Sequence, residues 1–536
     1  MKGGAVTLPV FLLLAAIVIF SCVLLNNVSN RIGIPYLLFF IVLGMVFGAD
    51  GLVRIEFDNA EVTRDICSAA LLVIMFYGGF GTNWKQAKKT ALPSAVLASA
   101  GVAATALLTG AFGHFVLGFP LLESMILGSA VSSTDAASVF SILRAKRLNL
   151  RYNTASILEL ESGSNDPFSY LLTVCFISLA SGTAGGADLI WMLVRQLALG
   201  AGFGVLIALV SRQLLCRMRF ANEGFGAVFL LGIAVLSYAL PEALGGNGYL
   251  SAYLAGIAIG NEEFKGKREM VHFFDSLTDM CQMLIFFLLG LLSYPSRLPA
   301  VALPAILLSL FMLFAARPLV VMLLGLPFGI RLRQGLTISW AGFRGASSIV
   351  FAIYAVTAAQ LSFDLYHIVF FIVLLSILVQ GSLLPAVARK LDMIDETEDV
   401  MKTFSDYSEE SPVEFIHVRI PQGHPWDGRP LSDIQFPLGT LAVMLVRGGR
   451  RIVPGGATKL QGGDDLILTG PSAGGEETLH ITESTVGADS PWLGKPLSEI
   501  SGEGLLIQII RDSRTLIPDG STRLKPGDRL IWHRGK

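Results

Sequence analysis

The sequence predicts a polytopic α-helical membrane protein of about 13 transmembrane helices, arranged as two inverted six-helix repeats, with a cytoplasmic α+β tail. Three observations carry that expectation. First, the 536 residues are 53% hydrophobic and only 15% charged, with a mean hydropathy of +0.63. A soluble chain carries about 25% charged residues, and the deficit here lies before residue 390. Second, apolar runs of roughly 17 to 25 residues recur in that part, each long enough to cross a bilayer as a helix. Third, two of those runs are broken by polar residues at matching positions.

The runs place spans at 8–25, 35–49, 66–82, 91–113, 120–142, 154–181, 188–211, 225–240, 246–260, 272–293, 300–326, 335–358 and 366–388. Leu8–Leu25 is too long for a signal-peptide core and has no A-x-A cleavage pattern, so it is the first span. Loops after odd-numbered spans hold 18 Lys and Arg residues, and the other side holds 4. Cytoplasmic loops carry that excess. The N-terminus is therefore expected outside and the C-terminus in the cytoplasm. Five cysteines without a C-x-x-C pair suggest neither a zinc site nor a disulfide framework. A formal net charge of −1 gives no sign of a nucleic-acid partner.

Thirteen spans divide as six, one and six, which makes the halves inverted repeats. Span 5 is interrupted by Ser132-Ser133-Thr134-Asp135-Ala136. Its counterpart, span 12, is interrupted by Gly342-Phe343-Arg344-Gly345-Ala346-Ser347-Ser348. Broken helices at corresponding places are a signature of secondary transporters.

Span 6 contains Glu159-Leu160-Glu161-Ser162-Gly163-Ser164-Asn165-Asp166-Pro167. An ionisable side chain at mid-bilayer costs on the order of 3 kcal/mol, so such residues need a partner, water or a task. Asp135, Glu161 and Asp166 face Arg317 and Arg344 as candidate partners, which leaves at least one carboxylate free to titrate. Glu159 is expected near the water-exposed part of the helix or as a secondary charge partner, and Arg195 of span 7 near an interface. At about 100° per residue, Ser162 and Asp166 share one helix face, with Glu161 and Asn165 on an adjacent one. Pro167 cannot donate to the carbonyl of Gly163 and is expected to kink the helix. Carboxylate, hydroxyl and freed carbonyl oxygens together suit a hard monovalent cation, with Thr134 and Asp135 added from the break in span 5. Burial favours the neutral form of an unpaired carboxyl group, so one group can take a proton or a cation in turn. Asp166 is the expected carrier. Glu161 is expected to hold the site together through an arginine, with Arg317 favoured over Arg344. Asp135 and Asn165 could instead satisfy unwound backbone.

The string Glu161-Ser162-Gly163-Ser164-Asn165-Asp166, the Thr134-Asp135 break and the Gly342-Phe343-Arg344-Gly345 break resemble the NhaP-type branch of the monovalent cation:proton antiporters, over about residues 8–390. The resemblance implies crossed unwound helices and a homodimer whose ion-carrying domain moves against a dimerisation domain. It implies that Asp166 binds ion and proton alternately, with Thr134, Asp135, Glu161 and Ser162 lining the site. Asn165, where electrogenic relatives carry a second aspartate, implies one-for-one electroneutral exchange. Arg317 matches an arginine that pairs with the buried glutamate in the family. A bacterial inner membrane is likewise implied, with roles in ion, pH and volume homeostasis.

The exchanger domain is expected over 1–391. Residues 392–412 hold eight acids and one lysine and are expected to form a solvated linker. Beyond it, Pro425-Trp426-Asp427-Gly428-Arg429-Pro430-Leu431-Ser432 matches Pro491-Trp492-Leu493-Gly494-Lys495-Pro496-Leu497-Ser498, and Arg447…Gly463-Asp464 matches Arg511…Gly527-Asp528. Each copy alternates apolar β-type runs with turns. Both copies, 413–473 and 483–536, resemble the TrkA C-terminal type of ligand-binding module. That resemblance implies regulation by a small cytosolic ligand, and its company tilts the cation toward potassium. No G-x-G-x-x-G opens a βαβ unit, so no NAD site and no other cofactor is expected. A ligand-gated potassium channel would need a T-V-G-Y-G-like filter, and an intramembrane serine hydrolase a G-x-S-x-G elbow; neither motif is present. The expected activity is therefore antiport and not enzyme catalysis, with K⁺/H⁺ exchange favoured and Na⁺(Li⁺)/H⁺ exchange as the alternative.

Overall fold

The computed structural model describes residues 13, 16–24, 36–55, 57, 59–146, 148–183, 185–217, 223–262, 264, 266–395, 413–434, 436, 440–448, 450–471, 481–487, 490, 492–499, 505–511, 514–516 and 522–533. The chain divides into two units, residues 1–408 and 409–536.

The first unit is helical. Beyond the partly described first run, its helices are α1 (Tyr36–Phe47), α2 (Ala60–Gly81), α3 (Ala91–Phe115), α4 (Leu121–Ala130), α5 (Ala136–Ala145), α6 (Thr154–Ala180), α7 (Gly186–Arg217), α8 (Glu223–Ala243), α9 (Gly248–Gly260), α10 (Lys267–Leu292), α11 (Pro295–Phe328), α12 (Leu332–Trp340), α13 (Ala346–Ala358) and α14 (Leu365–Lys390). Among the described residues, seven helices are long and apolar enough to cross a membrane, and shorter apolar ones lie between them. Each expected span from the second onward coincides with one helix or with a broken pair.

The expected twofold relation shows in packing detail. Span 2 packs on span 10, and span 3 on span 9, a pair of contacts that the repeat exchange maps onto each other. Both are glycine-mediated. A methyl at Gly44 of α1 would lie 2.8 Å from the Gly290 Cα of α10, and one at Gly256 of α9 would lie 2.2 Å from the Phe76 carbonyl of α2. Lipid supplies no hydrophobic force between helices, so close backbone approach through small residues holds them together. Spans 4 and 11 each carry one π-turn, at Leu97–Gly101 and Met312–Ala316.

The two breaks fall at 131–135, between α4 and α5, and at 341–345, between α12 and α13. The second is shorter than the sequence suggested: the helix resumes at Ala346, so Ser347 and Ser348 sit in the first turn of α13. Ala136 likewise starts α5. Pro167 lies inside α6, which continues through it. The first residues of the expected linker, 392–395, are held to the unit rather than left as solvated chain. β1 (Asn149–Leu150) pairs antiparallel with β2 (Ile394–Asp395), and Arg151 bonds Asp392 at 2.9 Å. The rest of the expected linker, 396–412, lies outside the described residues.

The second unit holds two four-stranded antiparallel sheets. Strands β3 (Val413–Arg419), β4 (Leu441–Arg447), β5 (Arg450–Ile452) and β6 (Asp465–Pro471) form the first in the order β3-β6-β4-β5. Strands β7 (Ile481–Thr485), β8 (Leu505–Arg511), β9 (Arg514–Leu516) and β10 (Arg529–His533) form the second in the equivalent order β7-β10-β8-β9. Each sheet has its own small apolar core, around Leu445, Leu460 and Leu466 in one and Ile509, Leu524 and Leu530 in the other.

Candidate ion-binding site

A half-helix that stops inside a membrane leaves carbonyls exposed at its C-terminal end and N–H groups at its N-terminal end. The two breaks satisfy these groups from each other. The Asp135 N–H donates to the Phe343 carbonyl at 2.9 Å. Arg344 Nη1 donates to the carbonyls of Ser132 (2.9 Å) and Ser133 (2.8 Å). The guanidinium thus meets the negative C-terminal end of α4. The Asp135 carboxylate sits at the positive N-terminal end of α5, accepting from the N–H (3.3 Å) and hydroxyl (2.5 Å) of Ser138. Behind the second break, the Arg344 N–H donates to Ser376 Oγ at 2.9 Å, Ser376 donates to Gln380, and Gln380 Nε2 donates to the Trp340 carbonyl at 3.1 Å. The approach of the breaks requires Gly345. Its backbone is extended, and the requirement is space: a methyl there would lie 2.5 Å from the Asp135 Cβ and 2.6 Å from Oδ2.

Helix α6 brings the remaining candidates to this crossing. Its hydroxyls Ser169 and Thr173 bind Ser129 of α4, at 2.6 Å to the carbonyl and 3.0 Å to Oγ. Ser162 Oγ lies 2.8 Å from Thr134 Oγ1, and Asn165 Nδ2 donates to that same oxygen at 2.5 Å. Asp166 is buried, beside the hydroxyls of Ser347 and Ser133 and next to the charge of Asp135. Its Oδ1 has no hydrogen-bond partner among the described residues, nor has Asn165 Oδ1. Glu161 lies on the adjacent face, fully buried, and accepts from Arg317 Nη2. The two arginines therefore differ in position: Arg317 on the glutamate, Arg344 on the carbonyls of the first break.

The structure gathers all eight sequence-derived candidates, Thr134, Asp135, Glu161, Ser162, Asn165, Asp166, Arg317 and Arg344, around one crossing. Sequence reasoning assigned no site role to Ser133, Ser347 or Ser348. Ser133 Oγ lies 3.0 Å from Ser347 Oγ and 3.3 Å from Ser348 Oγ. The signal was a pair of adjacent serines in both breaks. Of the two expectations for Glu159, the water-exposed position does not hold, since the residue is 9% exposed. A buried cluster of carboxylate, carbonyl and hydroxyl oxygens can replace the hydration shell of a monovalent cation. Three carboxylates face two guanidinium groups, so one further positive charge, ion or proton, brings the cluster to neutrality.

The sodium/hydrogen exchanger transmembrane family matches residues 15–390, and the TrkA-C domain family matches 415–480 and 481–531. The chain is 34% identical over 467 residues to a protein of Shewanella sp. strain MR-4 named K(+)/H(+) antiporter NhaP2, covering 86% of this chain and 81% of that protein. It is 36% identical over 370 residues to K(+)/H(+) antiporter NhaP of Alkalimonas amylolytica, covering 68% and 64%. Among solved structures, the sodium proton antiporter MjNhaP1 of Methanocaldococcus jannaschii at pH 8 superposes with a TM-score of 0.61, at 21% identity, over 71% of this chain and 99% of that one. That likeness supports the fold.

Proposed function

The chain belongs to the sodium/hydrogen exchanger family, a transporter of cations against protons and not an enzyme, and on that premise we propose that it exchanges cytoplasmic K⁺ for H⁺ with Asp166 as the alternating carrier. The observation that carries this reading is the unbonded Oδ1 of Asp166, buried among hydroxyls where two broken helices cross. Glu161 and Arg317 neutralise each other, and Asp135 and Arg344 balance opposite helix ends. Asp166 is then the carboxylate left over, and it must take up one positive charge before the cluster crosses an apolar barrier. One carboxylate that accepts either a proton or a cation gives one-for-one, electroneutral exchange. Thr134, Ser162, Asp135 and Asn165 line the site in this scheme, with Glu161 as its structural anchor.

Potassium is favoured by the relatives named K(+)/H(+) antiporters, the first of which matches across tail and membrane unit together. Sodium is the second reading, favoured by the sodium proton antiporter that shares the fold. We place the protein in a bacterial inner membrane, N-terminus outside and C-terminus cytoplasmic, on the strength of its bacterial relatives and the asymmetry of basic loop residues. We further infer a homodimer, from the resemblance stated above. Residues 1–391 form the exchanger domain, joined through 392–412 to two regulatory modules, 413–473 and 483–536, that sense a small cytosolic ligand.

The test is proton flux in everted membrane vesicles with a preset pH gradient, for wild type and Asp166→Asn. Collapse of the gradient by K⁺, absent in the variant, is the expected result. A response to Na⁺ or Li⁺ alone moves the cation assignment. Equal flux in both proteins overturns Asp166 as carrier.

A further inference from the structure

Pro167 leaves α6 one backbone hydrogen bond short beside Asp166, so the helix is most easily bent there. On one side α6 is held to α4 by Ser169 and Thr173. On its other side it meets the corner between α8 and α9. Asn247, at the N-terminal cap of α9, donates from Nδ2 to the Pro167 carbonyl at 2.9 Å. Three residues further along, about 4.5 Å, the Tyr170 hydroxyl donates to Glu242 Oε1 at 3.0 Å. We propose that Asn247 and Glu242 are positioning residues for Asp166: the α8–α9 corner grips α6 just beyond Pro167 and fixes where the carboxyl of Asp166 lies. The proposal rests on Asp166 being the carrier.

The corner is built to hold a fixed shape. Asn247 Oδ1 accepts from the Leu250 N–H at 2.9 Å, and its own N–H donates to the Gln196 carbonyl of α7 at 3.1 Å. Glu242 Oε2 accepts from the Gly248 N–H at 3.1 Å, and the Gly246 N–H closes back on the Pro241 carbonyl at 2.7 Å. Both side chains are thus bonded on two sides, once to the corner and once to α6. Gly246 and Gly248 permit the tight packing, since a methyl at either would lie 2.6 Å from the Leu199 or the Tyr238 side chain. Among the described residues the groups around Glu242 are phenolic, Tyr170 with Tyr238, Tyr249 and Tyr354 around it, and the charged Arg195 of α7 binds the same corner, donating to the Leu244 carbonyl at 2.6 Å. Asn247 is fully buried, so its amide has no water to replace α6. A side chain that merely filled space here would not need a donor aimed at the Pro167 carbonyl, which directly follows Asp166.

The experiment measures the cation concentration for half-maximal flux, and the pH profile, in everted vesicles for Asn247→Ala, Tyr170→Phe, and Tyr170→Phe with Glu242→Gln. Folded protein is quantified in parallel by size-exclusion chromatography in detergent. Asn247→Ala is expected to raise the half-maximal concentration roughly tenfold, the equivalent of one buried hydrogen bond, and to displace the pH profile. Tyr170→Phe acts in the same direction, and adding Glu242→Gln to it brings little more, because both remove one bond. Wild-type half-maximal concentration and pH profile at normal protein level overturn the proposal, as does a loss of flux that only tracks the loss of folded protein. If Asn247→Ala does not fold, Tyr170→Phe decides, since it removes a single hydroxyl. Asp166→Asn is carried alongside. Its inactivity with unaltered Asn247 and Tyr170 variants rejects the positioning role alone, whereas its activity rejects the carrier assignment.

Discussion

Asp166 in the membrane unit and Asp528 in the tail are both buried, at 4% and 1% exposure, yet they are opposites. Asp528 is saturated. Arg511 grips it with Nε (2.7 Å) and Nη2 (2.6 Å), and the Lys525 N–H donates at 2.8 Å. Asp464 repeats this in the first module with Arg447 and the Gln461 N–H. Among the described residues, Asp166 keeps an oxygen with no hydrogen-bond partner and forms no ion pair with an arginine or lysine. Burial alone therefore does not mark function. A carboxylate held by its own arginine fixes a fold, as Asp528 and Asp464 are and as Glu161 is with one oxygen still bare, whereas one with a bare oxygen and no arginine on it is available to a ligand.

The comparison can be broken in four ways. The largest effect is expected at Asp166→Asn: exchange is abolished in vesicles while the folded protein recovered in detergent stays near wild type. Loss of folding instead would put Asp166 in the same class as Asp528. Next is Arg317→Ala, which strands the Glu161 charge in a dry site. Removing one partner of a buried pair costs about 3–5 kcal/mol, read as a lowered melting temperature in detergent. Arg511→Ala follows, at about 2–3 kcal/mol because the arginine is partly exposed. It should appear as faster hydrogen exchange in β8 and β10, with β6 unaffected. The smallest effect is acid sensitivity. The bonds from Arg447 and Arg511 hold Asp464 and Asp528 below the ordinary carboxylate range. A depressed folded-state value means the contribution is present above the unfolded value and is lost as pH falls through the folded one. Protection in β6 and β10 should therefore decline only below about pH 4. A decline starting near neutrality would contradict the saturated pair.

Much of this was legible in the sequence because it is written in local patterns. Apolar runs gave helices, and polar strings inside them gave the breaks. The tail's duplication showed as matched blocks whose offset changes from 66 to 64, and the structure returns two sheets of equivalent strand order with the Arg447–Asp464 and Arg511–Asp528 pairs at the later offset. Helical periodicity also put Ser162 and Asp166 on one face. Contacts between elements were less legible. Periodicity says which way Arg344 leaves its own segment, but not that two carbonyls of another break await it. Glu159 looked like an end-of-helix acid because nothing local shows that Tyr253 of α9, 94 positions along the chain, lies beside it. Asn247 sits in a Gly-rich corner that reads as an ordinary turn, and its bond to Pro167 spans 80 positions.

The space at Gly345 has an evolutionary consequence. Even one added carbon would press on the carboxylate of Asp135, so under the proposed exchange scheme selection is expected to alter cation preference elsewhere. The hydroxyl positions 133, 134, 162, 347 and 348 can exchange serine, threonine or alanine in small steps. Position 345 offers no such step, and neutral drift there is barred. Lineages that diverge in the ion they carry should differ at the hydroxyls and hold the glycine constant.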